Sequence, residues 1–401
     1  MTITKPESVV VIGAGVTGLS TAFHLREKGV EQVTVIDKGT VGGGSSLQSG
    51  GIITMLLDAE PVIKARGISI DFFERFSKIL DGYQFHQVGC LNLFTTEALE
   101  GVSKNWDLQK KLGARFEVLH GKEITDRFPN LEAKEGEHGV LDLKGGYSEP
   151  HKYIPALRAK LEDMGVEFRE NEKVTGFNIS DDRVTGVVTS KGTLEAEAFV
   201  CAVNAWANHV LSMAGFKIPF KNFIHERFVT KPLVDPVRLP AVNDHILNAY
   251  IRPTDDNRLL LGSGDHDSQP FEMHGPDFRV DELEPDPRAL PHLKQHIVKR
   301  TPSLSDIEWD YHTVGLISLA YDVKPVIGPV PGIAGLFVGT NFHSGGFAYN
   351  PSSGLLIAEH VVEGKTRFNT DIYSPDRFRN VDVDSFLSEP IMHNSMGRVR
   401  H

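Results

Sequence analysis

Between Ser8 and Asp37 the chain reads as an apolar run, a glycine-rich turn, an amphipathic stretch, a second apolar run and an acid. Val9–Ile12 leads into Gly13-Ala-Gly15-Val-Thr-Gly18. A helix follows with Leu19, Ala22, Phe23 and Leu25 inward, Gly29 ends it, and Val33–Ile36 stops at Asp37. Each glycine has a job in holding a dinucleotide. The first permits a tight turn, the second lets the backbone approach a pyrophosphate, and the third lets helix and strand pack, while free N–H groups at the helix start face the phosphate charge. Asp37 is placed to accept hydrogen bonds from ribose hydroxyls. NAD and FAD proteins share this unit. A second run of small residues, Gly42-Gly-Gly44-Ser45-Ser46-Leu-Gln48-Ser49-Gly50-Gly51, precedes Ile52-Ile53 and allows the backbone to lie against a flat ring and its linker.

The 401 residues suffice for two domains or one large composite. A net charge of -11 argues against nonspecific nucleic-acid binding and against docking on anionic membrane. Cys90 and Cys201 cannot form a disulfide framework and have no metal-ligand spacing around them, as expected of a reducing compartment. MTITKPES lacks the apolar core of a secretion signal, and no stretch reaches the roughly 18 apolar residues of a spanning helix. A cytoplasmic location is the expectation.

Further along, the spacing predicts helices over 61–80, 98–112, 153–164 and 290–300. Strands are expected over 83–94, 139–143, 166–168 and 196–202, with an antiparallel insertion formed by 174–179 and 184–189. Residues 216–310 change character: frequent prolines separate strand-like pieces at 225–230, 245–252 and 258–262, an antiparallel sheet able to cover a ligand. Residues 265–281 read as a polar, mobile excursion. Near the end, Gly335–Gly339, a glycine loop through Phe347 and a helix over 352–362 repeat the strand, loop and helix order. The tail after Thr370 reads as surface wrapping.

In this order the segments resemble the amine-oxidising flavoproteins that include D-amino acid oxidase, glycine oxidase, sarcosine oxidase and dimethylglycine oxidase. The marks are Gly13-x-Gly15-x-x-Gly18 with Asp37, Gly145-Gly-Tyr-Ser-Glu-Pro150, Ala202-Val-Asn-Ala-Trp206, Tyr250-Ile-Arg-Pro253, Pro325-Val-Ile-Gly328 and Ser344-Gly-Gly-Phe347. The last, with His225-Glu226 ahead of Phe228-Val-Thr230, is most similar to the sarcosine oxidase beta-subunit and dimethylglycine oxidase branch. The resemblance implies an α/β fold. A Rossmann-like FAD-binding domain (1–82, 140–215, 311–372) is interleaved with a mainly antiparallel-sheet substrate domain (83–139, 216–310) and followed by a tail (373–401). It implies FAD contacts from Gly13, Gly15, Gly18, Asp37, Lys38, Ser45, Ser46, Ser49, Gly50, Val174, Trp206, Gly345, Gly346 and Phe347. Covalent attachment is not expected, because no cysteine follows Cys201 and Gln48 stands where the dimethylglycine branch has histidine; His343 lies off both patterns.

Oxidising an amine needs an unprotonated nitrogen, and the protein's part is to position substrate and tune protonation. An imidazole ordinarily titrates near neutrality, which makes His225 a candidate proton acceptor or carboxylate holder, and Tyr250 can donate a phenolic hydrogen bond; the resemblance implies catalytic roles for both. Arg252 and Arg227 are the guanidinium candidates for a substrate carboxylate, with a surface or inter-strand ion pair as the alternative for each. Lys324 is a further cation expected near the ring. The expected function is FAD-dependent oxidation of a secondary or tertiary amine, an N-methylated or cyclic amino acid, giving an imine that hydrolyses, with oxygen or another acceptor taking the electrons. Alternatives are a primary amino acid oxidase or dehydrogenase, an FAD-bearing subunit working with partner subunits, and a noncatalytic scaffold.

Overall fold

A computed structural model describes residues 5–263 and 269–390. The first layer is a six-stranded sheet in the order 326–329, 336–340, 198–201, 8–12, 32–36, 167–169. All neighbours run parallel except Val326–Pro329, which is antiparallel to Leu336–Thr340. The middle strands read as unbroken apolar runs because both faces are covered. Helices Val16–Glu27 and Gly346–Glu363 pack against each other on one face, with helix Glu60–Ile79 against the second of them. The insertion at Val174–Ser180, Arg183–Thr189 and Gly192–Glu195 is a separate three-stranded antiparallel sheet.

The second layer is a nine-stranded, largely antiparallel sheet built around the long strand Phe220–Thr230. Strand pairing moves two expected boundaries. Residues 311–320, expected in the dinucleotide layer, belong to strand Trp309–Ala320, which pairs with Phe220–Thr230 along its whole length. The alternation Val314, Leu316, Ser318, Ala320 buries one face of that strand, a period-two pattern present in the sequence. Residues 140–142 likewise belong to strand Glu137–Asp142, paired with Cys90–Thr95 and Phe116–His120.

Other expectations change in detail. The strand expected at 245–252 is a hairpin of Ala241–Asp244 and Ala249–Pro253, because Asp244 Oδ1 accepts from the N–H groups of Ile246 and Leu247, and Asn248 takes a left-handed φ of 48°. The helix expected at 98–112 is two short ones, Thr96–Ser103 and Trp106–Lys111. Of the excursion at 265–281, residues 265–268 lie outside the described residues, Gln269–Phe271 pair with Phe220–Thr230, and the following segment folds back on the first layer. The tail does more than wrap: Tyr373 and Phe378 are buried, Phe378 in the core beneath the parallel sheet. Residues 391–401 of that tail lie outside the described residues.

The two packed helices meet at Gly354. A Cβ there would stand 2.5 Å from Ser20 C and 2.6 Å from Thr21 N, both backbone atoms that cannot give way cheaply. Gly354→Ala should therefore lower stability by about 2–3 kcal/mol, the cost of overpacking a close helix contact. A urea midpoint equal to that of the parent would refute this account of the crossing.

Candidate active site

A cavity of about 460 Å³ runs between the two layers. At one end lie Gly13, Gly15, Asp37, Lys38, Val174 and Trp206; at the other Ser49, Gly50, His225, Gly346 and Phe347, with Ser45 and Ser46 between. Gly18 and Gly345 lie outside the lining. Gly18 is needed for packing: a Cβ on it would fall 1.8 Å from Gly13 O.

The dinucleotide end is built by the first turn. Gly13, at φ 109°, donates to Ile36 O at 2.7 Å, and a Cβ on it would strike Ala202 O at 2.6 Å. Helix Val16–Glu27 begins at Gly15 without a side-chain cap, so its N-terminus opens on the cavity with the positive end of its dipole. Ser46 Oγ takes one of those donors, Val16 N–H, at 3.1 Å. Asp37 is held by the N–H groups of Ala14 and Gly39, both at 2.8 Å; burial raises its pKa against those bonds. An anion-receptive helix start, an acid at the adjoining strand end and a tract of Gly43, Gly44, Ser45 and Ser46 fit a dinucleotide such as FAD.

Lys38 reaches elsewhere. Its ammonium donates to Pro276 O (2.7 Å) and Phe278 O (2.5 Å) and sits 4.4 Å above the Trp206 ring, whose Nε1 also donates to Phe278 O. Burial pulls it down to about 8, against the attraction of Asp37 and Asp277. Residues 276–280 thus strap the dinucleotide end, bringing Asp277, Arg279 and Val280 into the lining. Sequence reasoning missed this contribution because the segment has no apolar periodicity, and it missed Gly315–Ile317 because their strand was not recognised.

At the other end His225 projects from the covering sheet, its Nε2 3.1 Å from Tyr250 Oη and the two rings near parallel. Tyr250 lies behind His225 and is not itself in the lining. Its ring fits over Gly262, where a Cβ would overlap it at 2.3 Å, and against Gly50. Neither arginine lines the cavity. Arg252 is fully buried in a bidentate pair with Glu149 (2.6 and 2.9 Å) and donates Nε–H to Gly50 O. Arg227 gives Nη1 to Ser49 O (2.7 Å), Nη2 to Leu47 O (2.6 Å) and Nε to Thr313 Oγ1. Burial, then the neighbouring Arg252 charge, bring it down to about 10. The ion-pair alternative is the geometry observed for Arg252, with a partner at a helix start rather than in a strand, whereas Arg227 instead braces the carbonyls of Leu47 and Ser49. Lys324 is exposed and also off the lining.

The C-terminal loop is braced in a different way. Pro351 interrupts helix Gly346–Glu363 and cannot donate to Phe347 O. Asn350 Nδ2 donates there instead at 2.6 Å, and its Oδ1 is held by Tyr153 Oη at 2.8 Å. His343, at φ 44°, lines the cavity and accepts Gly345 N–H on Nδ1.

The FAD dependent oxidoreductase profile labelled DAO matches residues 8–360. The chain belongs to this family. Among its relatives, the sarcosine oxidase beta subunit of Rhodobacter capsulatus is 26% identical over 90% of this chain and 86% of its own. The 4-methylaminobutanoate oxidase (formaldehyde-forming) of Paenarthrobacter nicotinovorans is 26% identical over 92% of this chain, which spans 45% of that protein. L-proline dehydrogenase from P. horikoshii superposes with a TM-score of 0.87 at 27% identity, covering 94% of this chain and 99% of that one. As a DAO-family member the chain is an FAD-dependent oxidoreductase of amines or amino acids.

Removing one partner of a buried ion pair strands the other charge. Arg252→Met should cost about 3–5 kcal/mol and weaken FAD retention, because Gly50 O loses its donor. Arg252→Met combined with Glu149→Leu should recover at least half of the stability while FAD binding, followed by fluorescence, stays weak. Recovery of both together would show that Arg252 does not brace the loop.

Proposed function

We propose that this chain oxidises a secondary or tertiary amine, an N-methylated or cyclic amino acid, to an imine that water hydrolyses. The observation that carries the reading is His225 in the cavity lining, away from Asp37, with Tyr250 hydrogen-bonded to it from behind. FAD held in the cavity supplies the two-electron acceptor for the hydride leaving the carbon beside nitrogen. His225 takes the ammonium proton so that the lone pair is free, and Tyr250 fixes the imidazole by its hydrogen bond and its seat on Gly262. Phe342, Phe347 and Leu316 exclude water from that end. Sarcosine and proline, in the names of two relatives, are both secondary amines.

FAD is bound without a covalent link. Cys90 and Cys201 are buried thiols off the lining, burial pushing Cys201 up to about 12, and Gln48 lines the cavity where the dimethylglycine branch has histidine. Acid precipitation should leave all yellow colour in the supernatant; colour in the pellet rules this out. We further read the chain as a protein of the cytoplasm; among the described residues no helix is long and apolar enough to cross a membrane.

A second reading is favoured by one observation: the R. capsulatus relative, matched over most of its length, is named as a subunit. On that reading the chain acts with partner subunits. Anaerobic titration of the FAD-loaded protein with sarcosine, dimethylglycine, proline, glycine and a D-amino acid decides between them. Bleaching by a secondary or tertiary amine is expected, and recovery in air marks an oxidase. A flavin left oxidised by every amine defeats the amine reading and favours a partner-dependent chain, to be sought by co-purification.

A further inference from the structure

Residues 47–50 lie across one face of the covering sheet. His225 and Arg227, two positions apart on strand Phe220–Thr230, project from that same face. Arg227 holds the carbonyls on either side of Gln48, those of Leu47 and Ser49, and Gly50 rests on the Tyr250 ring. Gln48 N–H in turn donates to Ser45 O at 3.1 Å. The backbone of Gln48 is thus fixed on both sides, and its side chain leaves from a set position.

That position is beside His225. Gly315 is directly opposite His225 in the paired strand, so the Cβ it lacks would stand on the same face. This Cβ would fall 3.0 Å from Gln48 Cβ and 3.6 Å from Gln48 Cγ. Glycine at 315 leaves the space that the Gln48 side chain fills. Opposed Cβ positions are about 5 Å apart, which puts Gln48 Cβ within roughly 8–9 Å of His225 Cβ. An amino acid carries its carboxylate one carbon from its nitrogen, and an imidazole and a carboxamide reaching inward from those two points can touch both groups.

The Gln48 carboxamide is also unengaged. It lines the cavity, and among the described residues neither its Oε1 nor its Nε2 has a hydrogen-bond partner. The neighbouring serines close up their own surroundings: Ser45 Oγ accepts Leu316 N–H, Ser46 Oγ accepts Val16 N–H and Ser49 Oγ accepts Gly51 N–H. The lysines and arginine of the described lining belong to the Asp37 end and are already paired, Lys38 with the strap, Lys173 with Asp277 and Arg279 with Asp281. A carboxylate beside His225 meets no ammonium or guanidinium there. An amide –NH2 is a neutral donor for it.

We propose that Gln48 binds the substrate's carboxylate, Nε2 donating to it while His225 serves the nitrogen. The inference rests on the amine-oxidising reading and names what that site does with the acid end of its substrate. Because the donor is neutral, the charge at position 48 decides between an acid and its amide.

The test pairs acid with amide on the FAD-loaded protein: sarcosine with sarcosinamide, and proline with prolinamide. Gln48→Glu sets one carboxylate against another, so the acid-to-amide ratio of kcat/KM should fall at least about thirtyfold. Gln48→Ala removes the donor and adds nothing; KM for the acid should rise about tenfold, with kcat changed less than about twofold. An unchanged ratio in Gln48→Glu, or acid and amide slowed alike, overturns the contact while leaving amine oxidation intact. Butyrate, the carbon analogue of sarcosine, reads the contact without turnover. Calorimetry should show it binding the parent, and binding Gln48→Ala about tenfold more weakly. Both variants should keep FAD, since the side chain has no protein partner to lose. Absence of butyrate binding, or equal affinities, overturns the proposal even if no amine reduces the flavin. Loss of FAD from both variants also overturns it, showing that the side chain holds the cofactor instead.

Discussion

The site depends on two buried guanidinium groups that hold the carbonyls of one loop. Arg227 takes the carbonyls of Leu47 and Ser49, and Arg252 takes that of Gly50. A trans peptide points its N–H opposite its C=O. Turning the Ser49 carbonyl to Arg227 therefore turns Gly50 N–H away from it, in a segment that lines the cavity. Burying two cations side by side is expensive, as the lowering of Arg227 records. Glu149 offsets one of them with both its oxygens, and loop carbonyls receive much of the rest. Since Glu149 immediately precedes helix Pro150–Asp163, the ion pair also joins that helix to the covering sheet.

The same constraint explains the glycines around it. Gly51 places its missing Cβ 2.1 Å from Ser148 O, and Gly146 places its own 2.0 Å from His86 O. These contacts bring three short strands, Ile52–Ile53, Gly146–Ser148 and Phe85–His86, into one small sheet between the layers. Any side chain there would part the strands and move Glu149 off Arg252. The run Gly145-Gly-Tyr-Ser-Glu-Pro150 is a joint, with its glutamate as the pin.

Legibility in the sequence followed the range of the interactions. The first strand, turn, helix and strand are local, and every element from Ser8 to Asp37 was readable from spacing. The lining by Ser45, Ser46, Ser49 and Gly50 was readable from composition. The role of Arg252 was not, because residue type alone cannot tell a guanidinium facing a ligand from one facing a carboxylate 103 positions away. Strand Trp309–Ala320 carried its alternation openly but was hidden by its place beside the returning parallel layer. The strap at 276–280 left no local mark: its hold on the fold comes from Lys38 and Trp206, partners far off in the chain.

The two ends of the cavity are consequently held by different physics. At the dinucleotide end the strap is attached by an ammonium to two carbonyls, and its Asp277 by an exposed pair with Lys173, contacts that salt and solvent weaken. At the His225 end the braces are buried: Arg227, Arg252 with Glu149, and Asn350 standing in for the hydrogen bond that Pro351 cannot make. Buried, satisfied polar groups fix geometry more firmly than exposed ones. Rigidity is thus concentrated at the His225 end of the cavity, and the looser attachment lies at the Asp37 end.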